Sequence, residues 1–500
     1  MSPASQDDLA PDRSTTSVTA TSSEDVTDDG DYFDDMSCSG SEDYFSPCWE
    51  SDIGGSPPSP SDPPFVPVAK RPLEDRVDFF VDQFIWTGAP AGAGPQLQGL
   101  LSQFDDKIRS IVRAQMPKPH DSLCLKRIIA EELYNQATTE GGMLYLPSSH
   151  SSQQQRWNNF WYSVLNGSYN GPTLFRPQLH DGIEEFTFDT TDQPPYLFRT
   201  FDIASAGLNC DEEIGSIMSC KSWWESERDI LSLDKYLITN RVFKHLTGSK
   251  TGWKRPNNLI SWTSSLLYAI QSAIFRHSSK GWETTDIEVC AVDTRKFPRG
   301  QFMRDIWFIQ TYRGIAARIG GRTWGHFRCL NLEKYRNGEY LAQGKLKIAG
   351  RSCLVSLAQL ERSGLYDLFP EFQDPEGAQS TKWRVRELRR EWKDEQDTSN
   401  EAIRAALKIS KECFPNFEAV DMALMLLTFR ALKYQEALTT EAAEQKRLED
   451  ARHPKWGHEP DEVRRYMTAA RLLKPRIQQL ESQDLADHRT DLIEGLFECS

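Results

Sequence analysis

The sequence lacks most of what would mark a membrane, secreted or metal-bound protein. No apolar run approaches the roughly 18 residues that a membrane helix needs, and mean hydropathy is −0.58. The first thirty residues show no basic stretch leading into an apolar one, so no secretory leader is expected. The ten cysteines are scattered without a CxxC pair. That excludes zinc ribbons and disulfide scaffolds and suits reduced, mostly buried thiols in an intracellular protein, cytoplasmic or nuclear. Walker, GxGxxG, HExxH, GxSxG and kinase motifs are missing. The nine histidines show no ligand spacing, so no metal is expected.

Basic residues are nearly missing from one region. The 500 residues carry 58 bases and 73 acids, a net charge of −15. Residues 1–69 hold fifteen of those acids and a single base, Arg13, a charge of −14. The remainder is close to neutral, so the acidic total says little about what a folded body would bind. Residues 1–72 are rich in Ser, Asp, Thr and Pro and read as a disordered acidic tail. Tyr32, Phe33, Tyr44, Phe45 and Trp49 sit among its acids. This is the composition of a solvating tail or of an acidic, aromatic segment that docks on a protein partner.

Behind the tail, residues 73–170 read as helical, with Leu97, Leu101, Phe104, Ile108 and Ile111 at helical spacing. Further candidates cover 122–137 and 153–165. Residues 171–195 read as a linker with one possible strand at 184–189. From 196 to 370 short β-like runs alternate with helical ones, which argues α+β. The strands are expected at 196–201, 259–263, 287–293 and 338–346, the helices at 223–246 and 264–276. Residues 381–500 turn helical again, with a charged helix at 381–397, an apolar stripe of Val420, Leu424, Leu427, Ala431 and Tyr434, and a last candidate at 461–483.

Three expected strands each present one polar residue in apolar context: Arg199 in PYLFRTFD, Ser261 in NLISWTSSLLYAIQSA and Glu339 in NGEYLAQGKL. An arginine binds a diphosphate through charge-assisted, bidentate hydrogen bonds. A hydroxyl orients an acid, and a carboxylate stabilises positive charge developing on a sugar ring. These segments resemble the Arg, Ser-Thr-Ser and Glu motifs of the ADP-ribosyltransferase superfamily, in the branch of the cholera toxin and heat-labile enterotoxin A chains. The resemblance implies a split β-sheet domain flanked by helical regions, with NAD as substrate. It implies Arg199, Ser261 and Thr263 as NAD-binding residues and Glu339 and Ser261 as catalytic ones. Asp202, Ala269 and Gly344 fall at the accompanying acid, helix alanine and glycine. Trp262 replaces the middle threonine, and Asn337 stands where the first acid of Glu-x-Glu would be. That departure points away from an arginine acceptor and toward NAD hydrolysis, another acceptor or an inactive relic. The segments FRTFD, PNNLISWTSSLLYAIQSAI, IEVCAVDTRKF and GEYLAQGKL also resemble an uncharacterised domain of filamentous fungi.

Structural readings stand beside these. Arg199 suits an exposed strand ion pair. Ser261 or Ser264 suits a helix N-cap. Glu339 suits a strand edge after the Asn337–Gly338 turn. Gly320 and Gly321 suit an anion-binding turn. The run KWRVRELRREWK from Lys382 suits a nucleic-acid patch or a solvated face with i,i+4 pairs. A second class of function follows: a non-enzymatic interaction or regulatory protein working through the acidic tail and basic helices.

Residues 295–351 hold thirteen bases against three acids. They could attract a dinucleotide or nucleic acid, or the tail of the same chain. Deleting residues 1–69 is expected to strengthen binding of polyanions at about 50 mM salt, where screening is weak. Unchanged binding in a filter or fluorescence assay would rule out a tail that masks this region.

Overall fold

A computed structural model describes residues 193–220, 228–247, 258–321, 337–373, 380–432, 459–467 and 473–483. It also describes a helix at Asp105–Gln115, the segment 172–176, and single positions at Asp75, Val77, Asp78, Val81, Glu131, Glu132, Tyr162, Leu165 and Gly325. The acidic tail and the possible strand at 184–189 lie outside the described residues, as do most positions of the helices expected at 122–137 and 153–165.

In chain order the main elements are α1 (Asp105–Gln115), β1 (Tyr196–Phe201), β2 (Leu208–Asn209), β3 (Glu213–Gly215), α2 (Lys235–Thr247), β4 (Leu259–Thr263) and α3 (Leu266–Lys280). They continue with β5 (Glu288–Asp293), β6 (Met303–Arg304), α4 (Asp305–Thr311), α5 (Arg313–Ile319), β7 (Glu339–Gln343), β8 (Lys345–Lys347) and β9 (Ser352–Ser356). Helices α6 (Leu357–Arg362), α7 (Thr381–Glu391), α8 (Asn400–Cys413) and α9 (Ala419–Leu427) follow. The architecture is α+β. A six-stranded antiparallel sheet runs β6-β7-β4-β1-β5-β9, and a three-stranded sheet runs β2-β3-β8.

Alternation along the strands separates two cores. Leu197, Phe201, Ile260, Trp262, Cys290 and Val292 face Ile214 and Leu346 of the small sheet. Tyr196, Phe198, Val289, Ala291 and Val355 face the other way, against Leu266, Ile270 and Ile274 of α3. That second core continues without a break into the C-terminal helices, through Val385, Leu388, Trp392, Leu407 and Leu424. Helix α9 is buried from Val420 to Leu427, as its all-round hydrophobicity requires. Its one acid, Asp421, is met by Lys474 at 2.8 Å and by the Tyr196 hydroxyl at 3.3 Å.

Local chemistry sets the ends of the elements. The Ser265 hydroxyl accepts the Tyr268 N–H and starts α3, so neither Ser261 nor Ser264 is the cap. Gly281 ends α3 in the left-handed region. The helix expected at 223–246 begins at Lys235 instead. Asp229 caps a separate turn at Ile230–Ser232, and Leu233 is extended. The strand expected at 338–346 breaks at Gly344, whose carbonyl leaves the ladder to accept Ser216 N–H and the Ser219 hydroxyl. The charged helix expected to reach 397 stops at Glu391, because Trp392 turns into an aromatic cluster with Phe369, Phe372 and Phe429.

Trp392 is 2% exposed. Trp392→Ala is expected to cost about 3–5 kcal/mol, read as a lower denaturation midpoint at unchanged slope.

Candidate functional site

The neighbouring strands β1, β4 and β7 bring Arg199, Ser261 and Glu339 together. Strands β4 and β7 pair over five residues, with Thr263 opposite Glu339 and Ser261 opposite Leu341. This pairing puts Ser261 and Glu339 on one face, and the Ser261 hydroxyl donates to Glu339 Oε1 at 2.7 Å. Strands β1 and β4 share only the pair Phe198 and Thr263. Across the gap that follows, Arg199 Nη1 donates to the Ser261 carbonyl at 3.0 Å. Arg199 emerges on the side of Leu197 and Phe201, whereas Glu339 emerges on the side of Phe198. The two therefore meet through Ser261 and not directly.

Arg199 is half-buried, and its other hydrogen bond is to Asn209 Oδ1 at 3.3 Å. No carboxylate pairs with it among the described residues. Burial and the neighbouring Arg276 push its guanidinium down to about 10. This is not the exposed ion pair that a structural reading expects. Asp202, the acid that follows, is committed to Arg276 at 2.6 Å.

His245, near the end of α2, places Nε2 2.8 Å from the Ser261 hydroxyl. That hydroxyl already gives its proton to Glu339, so the imidazole N–H is the donor. The serine stands between histidine and acid. A nucleophilic triad would need the histidine in the middle, so this arrangement orients Glu339 and does not activate Ser261. Nothing in the sequence around His245 marks it, because only the fold brings α2 over β4.

Burial pushes the Glu339 carboxyl above its ordinary range, while the Ser261 hydrogen bond and the Lys382 cation pull it back. Arg304 lies opposite Tyr340 in the β6–β7 ladder. The next residue, Asp305, opens α4 and lies near enough to Glu339 to feel its charge. Its carboxyl is pushed up to about 8, first by burial and then by the charge of Glu339, against Arg304 and the Ile306 N–H. Sequence reading missed Asp305, which opens a helix far from the three motifs.

Thr263 was expected to offer a hydroxyl to a ligand. It spends that group on the loop instead, donating to the Asn337 carbonyl at 2.6 Å and accepting the Ser265 N–H at 3.0 Å. Asn337 accepts from Arg389 through its side chain. Glu459 and Glu462 close the end of the sheet. Glu459 takes Ser264 at 2.6 Å, Tyr340 at 2.8 Å and Arg304 at 2.7 Å. Glu462 takes the Ser265 hydroxyl and, at 2.8 Å, Arg389.

Gly320 has positive φ and ends α5, with its N–H on the Ala316 carbonyl. In the basic run, Arg384 and Arg390 meet Glu387, and Arg389 turns inward to Glu462, which fits a paired helix face. The described cysteines are free thiols. Burial pushes Cys290, Cys353 and Cys413 up, and so away from nucleophilic use. Among the described residues no helix is long and apolar enough to cross a membrane.

Residues 192–345 match a family described as a domain of unknown function, DUF7587. The matched range contains Arg199, His245, Ser261, Asp305 and Glu339. The expectation of an uncharacterised domain family therefore stands. No curated protein and no solved structure matches the chain.

Ser261→Ala removes the hydrogen bond that favours ionised Glu339. The Glu339 carboxyl is expected to titrate at higher pH in the variant than in the wild type, read by isotope-edited infrared spectroscopy. An unmoved midpoint would count against the contact.

Proposed function

We propose that the junction of β1, β4 and β7 around Ser261 cleaves the bond between nicotinamide and ribose in NAD, in the manner of an ADP-ribosyltransferase-like domain. The observation that carries the reading is the double use of Ser261. Its carbonyl holds a half-buried arginine that pairs with no carboxylate among the described residues, and its hydroxyl fixes a half-buried glutamate. A cation so placed suits a diphosphate, which accepts bidentate hydrogen bonds. A carboxylate with a fixed rotamer suits the positive charge that develops at the ribosyl carbon as nicotinamide leaves.

In this reading Arg199 binds the diphosphate. His245 holds the Ser261 hydroxyl, Ser261 holds Glu339, and the ionised Glu339 stabilises the oxocarbenium-like transition state. Activity should fall toward acid pH as Glu339 takes a proton, at a pH above the ordinary glutamate range. Asn337 bears no acid and is tied to Arg389, which favours water over an arginine side chain as acceptor. The split into a six-stranded and a three-stranded sheet also supports the reading.

The test is nicotinamide release from NAD by wild type and by Glu339→Gln. Loss of cation stabilisation should lower the rate about 10²-fold or more. Equal rates, or no release by the wild type, would overturn the proposal.

A further inference from the structure

We propose that Asp305 is the general base of this site, taking the proton of the water that attacks the ribosyl carbon while Glu339 stabilises the cation. The inference rests on the NAD-cleaving reading and deepens it.

Asp305 opens α4 directly after β6, next to the Arg304 that pairs with Tyr340, and it lies near enough to Glu339 to feel its charge. Asp305 Oδ1 accepts the Ile306 N–H at 2.6 Å, and the other oxygen has no hydrogen-bond partner among the described residues. The residue is half-buried, so water can reach it. The remaining polar groups nearby are committed. Glu459 is closed by Ser264, Tyr340 and Arg304, and Glu462 by Ser265 and Arg389. The amide of Asn337 takes no proton at neutral pH.

Two adjacent carboxyls resist holding two charges, so the pair keeps one proton up to about pH 8 and loses it above, where Asp305 becomes a base. Several groups face the pair: the Arg304 cation and the Ile306 N–H beside Asp305, Glu459 from the C-terminal segment, Lys382 from α7, and Ser261 backed by His245. The proton rests on Asp305 up to about pH 8, which leaves Glu339 as the charged partner.

The step balances. The bond from the ribosyl carbon to the nicotinamide nitrogen breaks, and its electron pair leaves with nicotinamide. The water oxygen bonds to that carbon, and one water proton passes to the Asp305 carboxylate. Nothing is oxidised or reduced.

The experiment measures nicotinamide release, and separately the thermal midpoint, between pH 6 and 9.5 for wild type, Asp305→Asn, Asp305→Glu and His245→Gln. Wild-type kcat should rise through about pH 8, as the base form of Asp305 appears. In Asp305→Asn that limb should vanish and kcat should fall about 10²-fold or more, with KM little changed. Asp305→Glu should restore part of the limb.

Stability gives a readout independent of turnover. The folded-state value lies above the ordinary 3.8, so the contribution of Asp305 is present at low pH and is lost as pH rises through about 8. Wild type should lose thermal midpoint across that range more steeply than Asp305→Asn. If Asp305→Asn keeps both rate and pH limb while Glu339→Gln loses activity, the NAD-cleaving reading stands and the role of Asp305 falls. A limb lost only in His245→Gln would move the base to the histidine and overturn the proposal. Absence of nicotinamide release from wild type would overturn both.

Discussion

The polar arrangement hangs on the pairing of β4 with β7. Five residue pairs set Thr263 against Glu339 and Ser261 against Leu341. Side chains alternate along a strand, so a slip of one residue would send Glu339 into the apolar layer that holds Tyr340 and Trp262. The alternative is costly, because Tyr340 and Trp262 bury large rings on that side and could not be exchanged for a carboxylate. Hydrophobic register thus does the positioning, and the contact between Ser261 and Glu339 follows from it. On the other flank of β7, the pairing with β6 ends at Arg304 and leaves Asp305 near the acid.

Much of the strand pattern was legible along the chain. Strands 196–201 and 259–263 have the bounds that alternation and β-branched or aromatic content imply. The order of Arg199, Ser261 and Glu339 was visible as well, and their adjacency follows once β1, β4 and β7 are neighbours. Other residues were illegible for a common reason. His245, Asp305, Glu459 and Glu462 act through partners that only the topology supplies, and no local periodicity encodes them. Element ends were misjudged where one side chain outweighed the pattern, as Asp229 does before α2 and Trp392 after α7.

Charge counted along the sequence also reads differently in space. The thirteen bases of residues 295–351 suggested a strong positive field. Yet Arg351 meets Glu131 at 2.6 Å, Arg304 meets Glu459, and Arg295 meets Asp293 at 2.7 Å. Acids neutralise those members locally, Glu131 and Glu459 from distant parts of the chain and Asp293 from two residues away. Arg199 lies outside that stretch and meets no carboxylate among the described residues, which makes it a better guide to an anion than the richest basic run.

The C-terminal segment at 459–467 bears on what counts as a unit of this protein. The range matched to the uncharacterised family stops at residue 345. Yet the Ser264 and Ser265 hydroxyls, the Tyr340 hydroxyl and the Arg304 guanidinium are completed by two carboxylates more than a hundred residues later. The face of the sheet around Phe198 is likewise covered by Leu424 and Trp392. A fragment cut at the family boundaries would expose that face and remove a carboxylate partner from each of four polar groups. The recurring stretch of sequence is therefore smaller than the body able to fold, and the later helices form part of the wall of the site.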